Sequence, residues 1–200
     1  MLFLRFKKMK FFSKEEVIGI SLILGFIAVV SFPNFKISLR RARDAQRKND
    51  IGELAQGLYN FANSFGSFPL SENGKIMACN PKIFENDRGL TEVTFESCDW
   101  EKDALKDPLN PDSPPYLNNL PGDPKAKQGY SYYYLSSGEN FQIYASLEGN
   151  DEDEFDEKIT ARKLSCGIAV CNFGRSSGAT PLDKSIEEYE NELLEKKLKI

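Results

Sequence analysis

Apolar and polar positions divide the chain into stretches of different texture. Residues 17–35 carry no charge. Nineteen residues of helix rise roughly 28 Å, close to the hydrocarbon thickness of a bilayer. The run does not end in a small-residue cleavage site. It passes through Ser31-Phe32-Pro33-Asn34-Phe35 into further helical pattern, which predicts a retained anchor rather than a removed signal. Beyond it Ile51, Leu54, Ala55, Leu58, Phe61, Ala62 and Phe65 recur at helical spacing and predict a stripe buried against a sheet. Residues 13–65 therefore read as one helix. Pro33 lacks an N–H and predicts a kink or local melt within it, and Gly25 adds flexibility.

The pattern then changes. Residues 70–120 read as irregular and rich in Pro, Asn and Asp, with a short strand at Val93-Thr94-Phe95. Tyr130–Leu135 and Phe141–Leu147 are aromatic and β-branched, and Ser136-Ser137-Gly138-Glu139-Asn140 between them predicts a hairpin. Leu164–Phe173 reads as a strand or a disulfide-pinned loop. Ser177-Gly178-Ala179-Thr180-Pro181 is a breaker, after which Ile186, Tyr189, Leu193, Leu194 and Leu198 mark a short amphipathic helix. The fold class is α+β: a long N-terminal helix, its first half in the membrane, packed on a small antiparallel sheet. The segments are a basic leader (1–11), a transmembrane helix (12–35), the outer half of the long helix (36–66), a globular part with disulfide-pinned loops (67–175) and a C-terminal extension (176–200).

Charge sharpens this division. The formal net charge of −4 is too mild to imply nucleic acid. The first fifty residues are basic around the apolar run and the rest is acidic, which suggests two environments for one chain. Basic residues flank the run on both sides, so the positive-inside rule leaves orientation open. The long C-terminal part is placed outside because it holds all four cysteines and long domains translocate largely regardless of charge. None of the four makes a C-x-x-C pair. Two disulfides are expected over four reduced thiols. Sequence leaves three pairings open, and Cys79–Cys98 with Cys166–Cys171, which closes the shortest loops, is the working choice.

Three polar groups are candidates for a role. Ser13-Lys14-Glu15-Glu16 opens the apolar run. Ser13 and Glu16 have capping-box spacing, while a carboxylate at the membrane edge is costly without a partner. Arg40, Arg41, Arg43, Asp44, Arg47, Lys48 and Asp50 form a collar after the run, read either as a solvated face with headgroup contacts or as inter-subunit salt bridges. Asn150, Asp151, Asp153, Glu154, Asp156 and Glu157 follow the hairpin. They suit either a solvated acidic loop or weak calcium binding through Asn150, Asp151 and Asp153. No other cofactor is expected. The chain has no histidine, no nucleophile–base arrangement and no Gly-rich phosphate loop, so an enzyme is not expected.

Phe12-Ser13-Lys14-Glu15-Glu16-Val17, the apolar run with Gly25, and Pro33-Asn34-Phe35 resemble the N-terminus of type IV pilins and type II secretion pseudopilins. The resemblance implies a prepilin peptidase cut between Phe11 and Phe12, with Phe11 standing where the family usually has Gly. It gives Glu16, Gly25 and Pro33 roles in assembly, Glu16 pairing with the free amine of a neighbouring subunit. Phe65-Gly66-Ser67-Phe68-Pro69 is similar to the close of the long pseudopilin helix. Leu120-Pro121-Gly122-Asp123-Pro124 and Tyr130-Ser131-Tyr132-Tyr133-Tyr134 are similar to the entry to its C-terminal sheet. The family's calcium loop after the sheet adds weight to the acidic cluster. What the resemblance implies is a filament subunit in the cytoplasmic membrane with its C-terminal domain outside. Its partners are other copies, minor pilin-like subunits and the peptidase. The alternative is a non-polymerising single-span binding or adhesin-like protein.

Overall fold

The computed structural model describes residues 13–85, 91–108, 110 and 112–199, the side chains of Pro33 and Thr91 excepted. Helix α1 spans Lys14–Phe65. The expected melt at Pro33 does not occur, because helix continues through that position. The chain divides into two compact units, Met1–Arg41 and Ala42–Ile200, and α1 contributes to both.

In the first unit the side chains of α1 are exposed. Leu22, Phe26 and Val29 are each more than two-thirds accessible. Its N-terminus is closed by a reciprocal pair: Ser13 N–H donates to Glu16 Oε2 at 2.8 Å, and Glu16 N–H donates to Ser13 Oγ at 3.3 Å. This is the capping box that the spacing predicts, and it satisfies two donors that the helix itself leaves open.

In the second unit α1 buries its apolar stripe, with Ile51, Leu54 and Leu58 inaccessible and Phe61 nearly so. Gly57 lets Leu117 lie against the helix, for a Cβ there would meet Leu117 Cδ1 at 2.6 Å. α1 ends at Phe65, and Gly66 takes φ +94°, a left-handed conformation that glycine adopts without strain.

Strands β1 (Leu70–Glu72), β2 (Lys75–Glu85) and β3 (Thr91–Ser97) form an antiparallel sheet in that order. The expectation of irregular chain over 70–120 is thus corrected. β2 hides from propensity because it contains Asn80-Pro81, and proline fits a ladder only at a bulge or edge. The pairing accommodates both by shifting register between Cys79 and Lys82.

A second antiparallel sheet holds β4 (Tyr133–Ser136), β5 (Phe141–Ala145) and β8 (Phe173–Ser176), with β5 central and wholly buried. β4 and β5 are the expected hairpin. Between them and β8 come the short helix α2 (Glu157–Ala161) and the two-residue strands β6 (Ser165–Cys166) and β7 (Ala169–Val170). Helix α3 (Ile186–Leu198) is N-capped by Ser185, whose Oγ accepts from Glu188 N–H. The fold is therefore α+β, with one long helix and small antiparallel sheets. Both disulfides take the working pairing: Cys79–Cys98 with Cα atoms 5.2 Å apart, and Cys166–Cys171 with Cα atoms 5.1 Å apart.

Candidate functional site

Within the first unit, α1 is the one helix among the described residues long and apolar enough to cross a membrane, and no part of its apolar window is buried. An exposed surface of this size is costly in water, at roughly 25 cal/mol per Å² of apolar area, and contiguous apolar patches larger than a few hundred Å² mark interaction sites. The cleavage candidates Phe11 and Phe12 lie outside the described residues. Glu16 stands in the first helical turn, Gly25 nine residues on and Pro33 eight beyond that. At 3.6 residues per turn, nine residues rotate the helix about two and a half turns. Glu16 and Gly25 therefore project on opposite sides and form no single local site. A side chain added at Gly25 would meet nothing within 4 Å, so nothing inside the chain itself requires glycine there.

Within the second unit the polar residues of α1 converge on the head, and the collar is corrected. Arg47 is fully buried and donates four hydrogen bonds. Nε and Nη2 hold Asp123 as a fork at 2.7 and 2.9 Å, and Nη1 reaches Asp44 at 2.8 Å and Glu148 at 2.9 Å. Asp44, also inaccessible, accepts from the backbone N–H groups of Glu148 and Gly149. Glu148 further accepts from Arg43 Nε and Nη2 and from Lys125 Nζ. The Asp50 carboxylate accepts from Tyr132 Oη at 2.6 Å, and Lys48 pairs with Glu152 and Glu154.

Five of the seven collar residues thus have partners within their own head. Sequence reasoning missed this because the partners Asp123, Lys125 and Glu148 lie more than seventy residues away in loops, with no periodicity to mark them.

Charge balance explains why such a group survives burial. Arg43, Arg47 and Lys125 face Asp44, Asp123 and Glu148, three of each sign. An unpaired buried ion would cost several kcal/mol. Burial opposes the charge on Arg47, but the bonds from Asp123, Glu148 and Asp44 outweigh it and hold the guanidinium charged above its usual range. The hydrogen bond from Arg43, with those of Lys125 and Arg47 and against the effect of burial, keeps the Glu148 carboxyl well below the usual carboxylate range. Desolvation raises Asp50, and the Tyr132 bond only partly offsets it. Every member is already paired, so the cluster offers neither a free base nor an open ligand position. It clamps the helix to two loops.

The acidic loop makes contacts of its own. Among the described residues no three His, Cys, Asp or Glu side chains converge to hold a metal. Glu152 and Glu154 take the Lys48 ammonium as their cation, and Asp156 caps α2 by accepting from Lys158 N–H. Asn150 and Asp153 are exposed, as is Asp151.

The second unit also carries a shallow apolar groove of about 620 Å³ between the end of α1, β3 and the β4–β5 turn, lined by Phe65, Phe68, Leu70, Val93 and Phe95 among others. What fold and site together define is a class: an α+β head on a helix whose apolar N-terminal stretch is unburied. Compared with family models, with curated proteins and with solved structures, the chain matches none.

Proposed function

We propose that this chain is a structural subunit of a type II secretion pseudopilus or type IV pilus-like filament, not an enzyme. It is anchored in the cytoplasmic membrane by the apolar part of α1, with the head outside, and assembles through that helix. The observation that carries the reading is the unburied apolar stretch of α1, opened by a carboxylate at Glu16 and punctuated by Gly25 and Pro33. A helix apolar on every side needs a lipid or protein environment on every side. A bundle of copies supplies the second once the bilayer supplies the first. Two disulfides in the head suit an oxidising compartment.

The capping box favours a second reading. Glu16 already has a local partner in Ser13, which a single-span protein that never polymerises would need equally. Two substitutions separate the cases. Glu16→Gln keeps a side chain able to complete the box but removes the charge, whereas Glu16→Ala removes both. If Glu16 neutralises a neighbour's amine, both variants lose the cross-linked ladders of the wild type while still inserting. If Glu16→Gln assembles as well as wild type, Glu16 is a helix cap and the filament reading loses its mechanism. The N-terminal residue of the protein isolated from membranes supplies the second arm. Phe12 means that the leader is cut and an amine freed, and Met1 points to the uncut single-span protein.

A further inference from the structure

The Cys166–Cys171 loop is built to hold an apolar tip outward. Its backbone is fastened to the segment after the 3-10 turn Ala126–Gln128: Ile168 N–H donates to Gly129 O at 2.9 Å, and Ser131 N–H donates to Cys166 O at 3.2 Å. Gly167 takes φ +74°, and a Cβ there would stand 2.0 Å from Gly129 O, so the two backbones touch. The disulfide closes the other side. With the backbone fixed in this way, Ile168 remains 72% exposed and Val170 44% exposed. An apolar pair outside both core clusters, on a loop fastened by backbone bonds and a disulfide, is pre-organised for contact. Lys127 lies two residues before Gly129, and Lys163 precedes Leu164, whose carbonyl accepts from Cys171 N–H; both lysines are exposed, and neither pairs with a described carboxylate.

The groove has the complementary character. Phe65, Phe68 and Phe95 floor it, and Leu70 at its margin is 58% exposed. Its lip is acidic. Glu139 belongs to the lining, is exposed and pairs with no described cation. Glu190 lies over the same turn, accepting from Ser137 Oγ and Asn140 Nδ2.

We propose that the occupant of the groove is the Ile168–Val170 tip of a second copy of this chain, with Lys127 and Lys163 of the tip meeting Glu139 and Glu190 at the lip. Where the tip of one copy enters the groove of the next and that copy's tip enters a third, the contact is heterologous and repeats along the proposed filament. One tip covers far less than the roughly 1,200 Å² of a stable free-standing interface. The contact therefore forms between chains already held side by side, where effective concentration replaces affinity. In this the inference rests on the proposed filament.

The test uses the full chain in membranes, with benzoylphenylalanine placed at Ile168 and separately at Val29 of the apolar helix. Isotope-labelled and unlabelled chains are mixed so that cross-links between copies are identified by mass. Light is expected to join residue 168 of one copy to the 65–70 or 93–95 peptides of another, and residue 29 to the apolar helix of a neighbour. Glu139→Lys should reduce the first cross-link at least about fivefold, and Lys163→Glu in the same chain should restore it. Cross-links at 29 but none from 168 to the groove overturn the docking and leave the filament standing. Cross-links from 168 without any at 29 uphold the docking and sink helix-mediated assembly. Neither cross-link overturns both.

Discussion

Arg47 ties α1 to Asp123 and Glu148 in two loops of the head. Truncating one member of a buried ion cluster leaves the others uncompensated, at about 3–5 kcal/mol. Arg47→Ala is expected to lower the unfolding free energy measured in urea by that much, and Arg47→Lys to recover only part of it. An ammonium cannot reproduce the fork that holds both oxygens of Asp123. By contrast Lys82–Glu96, whose side chains are more than half exposed, is screened by solvent and adds little. Glu148 sets the acid response. Its folded-state pKa lies below the ordinary 4.5, so its stabilising contribution is complete above that value and is lost as pH falls through the folded pKa. Asp50, raised by burial, works in the opposite sense, its contribution fading as pH rises through its folded pKa. Glu148→Gln should lower stability near neutral pH and flatten the fall below about pH 4, read from denaturant midpoints across a pH series. An unchanged acid limb would remove Glu148 from this role.

Among the elements, those with a strong period were legible. The stripe from Ile51 to Phe61 is core because a 3.6-residue repeat admits one buried face, and β4 and β5 follow from aromatic and β-branched runs around a Gly-containing turn. β2 was not legible, since Asn80-Pro81 interrupts its pattern and only the partner strand shows that a bulge absorbs them. β8 was obscured for a different reason: Phe173–Ser176 is short and contains Gly174, and it is strand because buried β5 offers it an edge. The ion cluster depends on contacts that no local pattern encodes. The same holds for the C-terminal extension. Gln142 Nε2 donates to Pro181 O and Lys184 O, Tyr144 Oη donates to Leu182 O, and Arg162 joins Gln142, Tyr144 and Leu182. Removing residues 181–200 should therefore destabilise the head by roughly 2–5 kcal/mol through buried donors left without acceptors, seen as a lower melting temperature. In the disulfide loop, Gly167→Ala faces both a positive φ and the Gly129 carbonyl. It should lower the melting temperature by several degrees, for a cost of about 1–3 kcal/mol, with Gly178→Ala, at φ +53° in open space, losing less.

For the whole molecule the decisive property is the contrast between its two units. The first unit exposes apolar side chains that water penalises, and the second is a closed core with satisfied charges and two disulfides. A chain expressed without export is expected to keep four free thiols, and the exported chain to show only the 79–98 and 166–171 bridged peptides on non-reducing mapping. Bridged peptides in both compartments would remove the argument from disulfides to an external head.

Tension applied along α1 from its N-terminal side would reach Arg43, Asp44 and Arg47 before Ile51, Leu54 or Leu58. The chain's first resistance to being pulled is then a set of short, directional bonds that all act at once, rather than apolar contacts that slide apart one by one. Such a joint is stiff up to a threshold and then gives abruptly. In single-molecule pulling through residue 42, Arg47→Ala should lower the force of the first rupture and broaden its distribution. An unchanged first rupture would place the resistance in the apolar stripe instead.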